Sequence, residues 1–241
     1  MLKLEKTREI LKPDAVIFDT DNTLYLYEPA HMAAMKKVAE KAEEVLGVSK
    51  ADFIAGFKRS RAMVKVRLGN TASSHSRLLY FQRTIEYLGM GTRILVALDL
   101  EQTYWREFLS NARLFDGVGL FLQRLKDDRV KTANITDLTS QIQFRKMVYF
   151  GLDEYFDYVV TSEESGVDKP SPLCFEMALS KIGIPPSKKI WMIGDDETND
   201  ILGAQDFGLT TIKKVNRTSG ASNADIIFDN FNHLAQYYNL L

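Results

Sequence analysis

Hydrophobic positions along the chain follow two different patterns. Short apolar runs that fit buried strands alternate with segments whose apolar residues recur at helical spacing. This alternation is typical of a parallel sheet that is covered by helices on both faces and joined by right-handed crossovers. The predicted strands lie at residues 14–19, 130–135, 157–161, 189–193, 209–213 and 225–228. The predicted helices of this part lie at residues 116–125, 139–149, 171–182, 198–206 and 230–238.

The segment 29–112 interrupts this alternation, because it is helical in pattern and contains no clear strand. We therefore predict an α/β fold in which residues 1–28 and 113–241 form a Rossmann-like, doubly wound parallel sheet core. Residues 29–112 would form an α-helical cap inserted into that core. The aromatic residues of the segment fit helix faces, and most of them are predicted to be buried.

Two shorter segments complete the predicted organisation. Residues 3–12 are predicted to form a short leading helix. The stretch 216–223 is rich in Ser, Asn and Gly, so it is predicted to be a mobile surface loop.

Composition excludes several classes of function. The chain has 241 residues, with 31 basic and 32 acidic side chains and a net charge of −1, so no bulk field favours nucleic acid or a membrane. The one cysteine, Cys174, cannot form an intramolecular disulfide, which fits a reducing compartment. The N-terminus lacks the apolar stretch of a secretory signal, and no run is long enough to span a membrane. We expect a cytoplasmic protein with neither a nucleic-acid nor a membrane partner, and the oligomeric state stays open.

Four polar signals follow one another along the predicted core. In open parallel sheets the ligand crevice lies at the carboxyl ends of the strands, so residues placed there are candidates for chemistry. Asp19 ends the first predicted strand and Asp21 faces the same space, so one carboxylate can be the nucleophile and the other the acid and base. The four signals are Asp19-Thr20-Asp21-Asn22-Thr23, then Thr136, then Lys169, and finally Gly194-Asp195 followed by Asp200.

These residue types suit magnesium-dependent phosphoryl transfer. A phosphate ester and a carboxylate nucleophile repel each other, and Mg²⁺ between them would relieve this because it prefers oxygen ligands. The charge that spreads over the phosphoryl oxygens can be met by an ammonium and a hydroxyl, which Lys169 and Thr136 supply. Each signal alone has a purely structural interpretation as a turn, a helix cap or a helix start. The order and spacing of the four signals together favour a catalytic site over these structural interpretations.

The same motifs resemble those of the haloacid dehalogenase superfamily, most of whose members are phosphatases that form an aspartyl-phosphate. The resemblance extends from about residue 14 to residue 212. It implies that Asp19 is the nucleophile and a magnesium ligand. Asp21 would contribute its backbone carbonyl to the metal and act as general acid and base, and Asp195 and Asp200 would complete the metal site.

The resemblance also implies a phosphate-binding group formed by Thr136, Asp137 and Lys169. Asp137 departs from the family pattern, in which a small or amide residue is frequent at this position. Its charge would repel an anionic substrate unless it caps the following helix or faces the leaving group. Asp196 is a second departure, since it places an acid directly after Asp195 and adds negative charge near the metal.

The substrate must be read by residues outside the phosphoryl pocket, and family members with this layout use the cap. The most polar stretch of the cap contains His75 and Arg77, which could contact a hydroxyl, a carboxylate or a second phosphate. The alternative is a solvated loop with a helix N-cap at Ser74 or Ser76. Tyr25 could contact the leaving group or pack beneath the hinge of the cap.

We therefore predict a magnesium-dependent phosphatase that hydrolyses a small phosphorylated metabolite, a nucleoside monophosphate or a sugar phosphate, through an aspartyl-phosphate. A 2-haloacid dehalogenase needs neither magnesium nor an acid at the second motif position, so Asp21 and the Asp195 loop argue against it. A phosphomutase would keep all four signals, but the family's mutases have smaller caps and a Gly where this chain has Asn22. A non-catalytic binding protein would be expected to have lost one of Asp19, Asp21, Lys169 or Asp195.

Overall fold

The computed structural model describes residues 1–4, 10–216 and 222–241. Two of the sequence predictions therefore fall partly outside the described residues. They are the middle of the leading helix predicted at 3–12 and most of the loop predicted at 216–223. Among the described residues, none of the helices combines the length and apolar character that a membrane span requires.

The chain divides into two compact units. Met1–Leu26 and Arg113–Leu241 form the first, which we call the core, and Tyr27–Ala112 form the second, which we call the helical unit.

A sheet of seven strands organises the described part of the core. The strand order is β1-β7-β6-β5-β2-β3-β4, in which β2 to β7 are parallel and β1 pairs antiparallel with β7. The predicted α/β fold is confirmed, with one antiparallel strand added at the edge. The strands are β1 (Leu2–Leu4), β2 (Ala15–Phe18), β3 (Lys131–Thr136), β4 (Tyr158–Thr161), β5 (Ile190–Gly194), β6 (Thr210–Lys214) and β7 (Ile226–Phe228).

Both units contain helices. The described α-helices are α1 (Tyr27–Leu46), α2 (Lys50–Leu68), α3 (Arg77–Tyr87), α4 (Ile94–Asn111), α5 (Val118–Asp127), α6 (Ser140–Phe150), α7 (Ser162–Ser165), α8 (Pro172–Ile182), α9 (Gly203–Gln205) and α10 (Phe231–Tyr238). A 3₁₀ turn at Ala72–His75 precedes α3, and a π-helical turn at Glu197–Leu202 precedes α9.

The strands of the sheet are buried on both faces, which is why they appear in the sequence as continuous apolar runs. Along β2, Ala15 and Ile17 belong to one apolar cluster, with Phe175 of α8. Phe18 packs against Phe121 of α5, with ring centroids 6.2 Å apart. Since successive side chains of a strand point to opposite faces, α5 and α8 cover opposite sides of the sheet.

The leading helix predicted at residues 3–12 is wrong where the chain is described. Leu2–Leu4 form strand β1, with Leu2 opposite Phe228 and Leu4 opposite Ile226, and residues 10–12 are not helical. A three-residue strand is too short to show its own periodicity. Its conformation is decided by the edge of β7, which offers unpaired backbone groups.

The helical unit is held together by an aromatic core. In this unit α1 packs against α4 and α2 packs against α3. Phe53, Phe81, Tyr104 and Phe108 are fully buried, and the rings of Phe81 and Tyr104 lie 6.1 Å apart. The aromatic residues that fitted helix faces are therefore mainly packing residues, and the helical pattern starts at Tyr27, slightly before the predicted residue 29.

Candidate active site

Asp19 lies at the carboxyl end of β2, a strand with parallel neighbours on both sides. Phe18 pairs in register with Asn134 of β3 and with Ile193 of β5. The backbone N–H of Asp19 donates to the Ile193 carbonyl at 2.9 Å, so the ladder continues up to this residue. The chain leaves β2 for β3 on one side and later returns as β5 on the other. A crevice opens at such a switch point, and Asp19 stands in it.

Lys169 joins two carboxylates in this crevice. Its Nζ donates to Asp19 Oδ1 and to Asp200 Oδ1, each at 2.7 Å, and to the Ile135 carbonyl at 3.2 Å. The side chain is only 3% exposed. Burial alone would lower the pKa of Lys169, but Asp19 and Asp200 hold it well above its usual value. Lys169 is therefore a fixed positive charge beside Asp19.

A third carboxylate, that of Asp195, lies close to the two that Lys169 bridges. Asp19, Asp195 and Asp200 each offer an oxygen, and these oxygens lie within 4.8 Å of one another. Burial, reinforced by the other two acids, raises the pKa of Asp195 to about 8. Burial also raises the pKa of Asp19 to about 6 despite Lys169, and it raises that of Asp200. The cluster is thus short of positive charge, and its all-oxygen donor set suits a hard divalent cation such as Mg²⁺.

Thr23 is a site residue that the sequence analysis did not assign. Its side chain is fully buried, and its Oγ1 donates to Asp19 Oδ2 at 2.9 Å and lies 3.5 Å from Asp195 Oδ1. The turn that returns Thr23 to Asp19 requires a left-handed residue, and Asn22 supplies it with φ of 62°. The sequence feature that could have identified Thr23 is its position four residues after Asp19, inside the same motif.

Gly194 allows Asp200 to approach the end of β5. A Cβ at position 194 would lie 2.3 Å from Asp200 Oδ2 and 2.4 Å from Asp200 Cβ, so a side chain there would displace Asp200. The same Oδ2 accepts a hydrogen bond from the backbone N–H of Asp196 at 3.0 Å. The Gly-Asp pair in the sequence therefore has two separate purposes, since the glycine makes room for Asp200 and the aspartate joins the carboxylate cluster.

Asp21 is held by two donors. Lys146 Nζ lies 2.6 Å from Asp21 Oδ1, and the Tyr25 hydroxyl donates to the same oxygen. Tyr25 was predicted to contact the leaving group or to pack beneath the cap hinge; the structure buries it fully, with its hydroxyl on Asp21. Lys146 belongs to no motif. One sequence feature could have indicated its role: Lys146 and Gln143 are polar residues one turn apart on a helix face. The apolar residues Ile142 and Met147 lie on the same face, which is buried.

Thr136 and Asp137 follow one another at the end of β3. Thr136 is buried and lies in register with Thr161 of β4. Asp137 Oδ1 accepts a hydrogen bond from the backbone N–H of Lys169 at 2.8 Å, and burial raises the pKa of Asp137. The suggestion that Asp137 caps the next helix is wrong, because the N-cap of α6 is Thr139. Asp137 instead anchors the loop that carries Lys169.

Asp196 also has a local structural task. Its Oδ1 accepts hydrogen bonds from the backbone N–H groups of Thr198 and Asn199, at 2.9 Å and 2.7 Å. It is thus the N-cap of the π-helical turn, where backbone donors offset its charge.

His75 and Arg77 belong to the helical unit. Arg77 donates to the His75 carbonyl at 2.7 Å and to the Tyr27 hydroxyl at 2.5 Å, and its guanidinium lies 5.4 Å from the ring centroid of Tyr104. Arg77 therefore has partners within its own unit. The N-cap suggested for this stretch is present at Ser76, whose Oγ accepts from the Leu79 N–H at 3.3 Å.

Comparison with known proteins identifies relatives of this chain. A family model described as haloacid dehalogenase-like hydrolase matches residues 13–208. A ribulose-1,5-bisphosphate 5-phosphatase of Halopiger xanaduensis is 37% identical over 199 residues, which cover 82% of this chain and 83% of that protein. A glyceraldehyde 3-phosphate phosphatase of Methanothermobacter thermautotrophicus is 29% identical over 82% of this chain and 84% of its own. In fold, the chain resembles the crystal structure of a HAD phosphatase from Thermococcus onnurineus, with a TM-score of 0.72, 24% identity, and coverage of 92% of this chain and 96% of the other.

Proposed function

Because the chain belongs to the haloacid dehalogenase-like hydrolase family, we propose that this hydrolase of phosphate esters is a magnesium-dependent phosphatase that forms an aspartyl-phosphate on Asp19. One observation carries the proposal. Asp19 is a buried carboxylate at the end of β2, held by Lys169 on one oxygen and by Thr23 on the other. A nucleophile held in this way is oriented before the substrate arrives.

In the first step a carboxylate oxygen of Asp19 attacks phosphorus, and the bond from phosphorus to the leaving oxygen breaks. Asp21 delivers a proton to that oxygen, so that an alcohol leaves. The ammonium of Lys169 and the hydroxyl of Thr136 meet the negative charge that spreads over the phosphoryl oxygens.

In the second step water attacks the phosphorus of the aspartyl-phosphate, and Asp21 takes a proton from that water. The acyl-phosphate bond breaks, inorganic phosphate leaves and the Asp19 carboxylate is restored. Both hydrogen bonds of the resting carboxylate, from Lys169 and Thr23, favour its return as a leaving group.

We assign the magnesium site to Asp19, Asp195 and Asp200, with the backbone carbonyl of Asp21 as a further ligand. The donor set fits, because the buried carboxylates of Asp19 and Asp200 and the half-buried one of Asp195 lie beside one ammonium and leave negative charge uncompensated. When bound there, Mg²⁺ supplies the positive charge that lets an anionic nucleophile and an anionic ester approach each other.

The relatives support a small phosphorylated substrate. Ribulose 1,5-bisphosphate and glyceraldehyde 3-phosphate, the compounds in their names, are both short sugar phosphates. We therefore favour a sugar phosphate over a nucleoside monophosphate.

A screen of phosphate release across a panel of sugar phosphates, bisphosphates and nucleoside monophosphates, with and without Mg²⁺, tests this function. We expect hydrolysis only with Mg²⁺ and the highest kcat/KM on a short sugar phosphate. Halide release from a 2-haloacid, together with no phosphate release from any ester, would instead make the protein a dehalogenase.

We further propose that the helical unit recognises the organic part of the substrate, through His75 and Arg77. The expected result of His75→Ala or Arg77→Met is a loss of kcat/KM of roughly tenfold on the preferred metabolite, the size of one polar contact. The loss on 4-nitrophenyl phosphate, which carries few groups to recognise, should be much smaller.

Arg83→Met is the matched control for these cap variants, because Arg83 forms a surface ion pair with Glu86 on the same helix. It should leave kcat/KM on both substrates unchanged. Thermal unfolding must accompany the Arg77 variant, which loses contacts inside its unit. Equal losses on both substrates would contradict a role in recognition.

A further inference from the structure

Two buried donors converge on one oxygen of Asp21. Lys146 Nζ lies 2.6 Å from Asp21 Oδ1, and the Tyr25 hydroxyl donates to the same atom. The Lys146 side chain is 1% exposed, whereas that of Asp21 is 36% exposed. The carboxylate is thus anchored from the protein interior while part of it reaches solvent.

The helix that carries Lys146 is bound to the catalytic loop at a second point. Gln143, one turn before Lys146, donates through Nε2 to Thr20 Oγ1 at 2.9 Å and to Asn134 Oδ1 at 3.0 Å. Asn134 in turn donates to the Phe18 carbonyl at 2.9 Å and to Thr20 Oγ1 at 2.8 Å. Side chains of β3 and α6 therefore hold the loop on both sides of Asp19.

Lys146 has no role in the chemistry described so far, because the nucleophile, the phosphoryl group and the metal are served by other residues. Burying an ammonium is costly unless it is well paired, and a hydrophobic side chain of similar volume would pack at this position without that cost. Its contact with Asp21 is also short and directed to a single oxygen. A polar side chain of this kind, aimed at the proposed acid and base, points to a function.

We propose that Lys146, assisted by Tyr25, positions the carboxyl group of Asp21 so that its proton is exchanged directly with the leaving group and with water. The proposal rests on the function of Asp21 proposed above. A carboxylate oxygen has about two acceptor positions, and an ammonium together with a phenol occupies both on Oδ1. Oδ1 is therefore fixed from the protein interior, and the orientation of the carboxyl group is fixed with it.

The consequence is a selective effect on leaving groups. An alkyl leaving group requires a proton as the ester bond breaks, whereas 4-nitrophenolate leaves without one. If Lys146 is removed, the Asp21 carboxyl can rotate, and its proton is no longer directed at the leaving oxygen. Phosphoryl transfer from alkyl esters then slows, while transfer from 4-nitrophenyl phosphate continues.

The test compares kcat/KM of Lys146→Met on an alkyl phosphate and on 4-nitrophenyl phosphate, in the presence of Mg²⁺. This parameter reports the steps up to phosphoryl transfer to Asp19, so it is not affected by later hydrolysis of the aspartyl-phosphate. We expect a loss of about tenfold or more on the alkyl ester, a part of what general acid catalysis supplies, and of less than about threefold on the aryl ester. Tyr25→Phe should show the same selectivity with a smaller loss.

Arg145→Met is the matched control, since Arg145 is the exposed neighbour of Lys146 on α6 and its loss changes the net charge equally. It should leave both kcat/KM values unchanged. Adding Lys146→Met to an Asp21→Asn enzyme should cost less than about twofold on the alkyl ester, because Lys146 acts through a group that is already gone.

Equal losses of Lys146→Met on the two esters, or an undiminished loss in the Asp21→Asn background, would overturn the proposal and leave Lys146 as a structural ion pair. If Lys146→Met does not fold, Tyr25→Phe decides by the same comparison. A different result would show that Asp21 is not the general acid. In that case Asp21→Asn, with Lys146 in place, would lose as much kcat/KM on 4-nitrophenyl phosphate as on the alkyl phosphate.

Discussion

Asp19→Asn is expected to abolish turnover and leave the fold intact. The amide keeps the shape of the carboxylate but is a far weaker nucleophile, and general acid and base groups cannot act on an attack that does not occur. The substitution also removes one of the two carboxylates that Lys169 bridges, while Asp200 continues to pair with that buried ammonium. We expect a loss of several orders of magnitude in kcat, measured as phosphate release with Mg²⁺ and the preferred ester.

The phosphoenzyme provides a second measurement for the same variant. Brief incubation with ³²P-labelled ester followed by acid quench should label the unmodified protein and Asp21→Asn, but not Asp19→Asn. Asp21→Asn can still be phosphorylated by an ester with a good leaving group, because it lacks only proton transfer. Substantial activity of Asp19→Asn, at a level that contaminating protein cannot explain, would contradict the mechanism.

Removal of divalent cations is expected to stop catalysis, and Mg²⁺ should restore it. Asp19, Asp195 and Asp200 crowd three carboxylates around Lys169, and an anionic ester entering this cluster would be repelled without a further cation. Ca²⁺ should restore activity poorly, because its larger and less regular oxygen shell would displace the nucleophile. Activity after dialysis against chelator, followed by titration with each cation, measures this.

Asp195→Ala is expected to weaken Mg²⁺ binding while the protein remains folded. Asp195 is less buried than Asp200 and has no bond to Lys169 among the described contacts, so its removal should be tolerated structurally. The variant should need a far higher Mg²⁺ concentration for half-maximal activity. Full phosphate release by the unmodified protein in excess chelator would contradict the assigned magnesium site.

The spacing of polar residues relative to apolar runs predicted the main elements of the site. Asp19 and Asp195 each follow a run of four or five buried residues, and runs of this kind are typical of strands that are covered on both faces. Since parallel strands end on one edge of the sheet, residues at their carboxyl ends meet in space. Strand position therefore follows from local composition, and the convergence of the two acids follows from topology.

The direction in which each polar side chain points could not be obtained in the same way. Asp137 and Asp196 both occupy loops beside the phosphoryl site, yet one binds the Lys169 backbone and the other caps a helical turn. A loop carboxylate accepts from whichever donors lie within about 3 Å, and those donors depend on distant parts of the chain. The same limit applies to β1, whose three residues became a strand only because β7 presents a free edge.

The amino-acid sequence by itself indicated the six parallel strands and most of the helices, because apolar periodicity is a local property of the chain. It also placed Asp19, Lys169, Asp195 and Asp200 in the crevice, because they lie at strand ends or in the turns that follow them. Only the tertiary structure decided that Lys146 reaches Asp21, across 125 residues of sequence. A buried lysine in a helix has no local signature of its partner, since the pairing depends on how α6 packs against the loop after β2. The physical reason is that apolar periodicity depends on which side of an element is buried. A hydrogen bond depends on the positions of two particular atoms, and the packing of distant segments sets those positions.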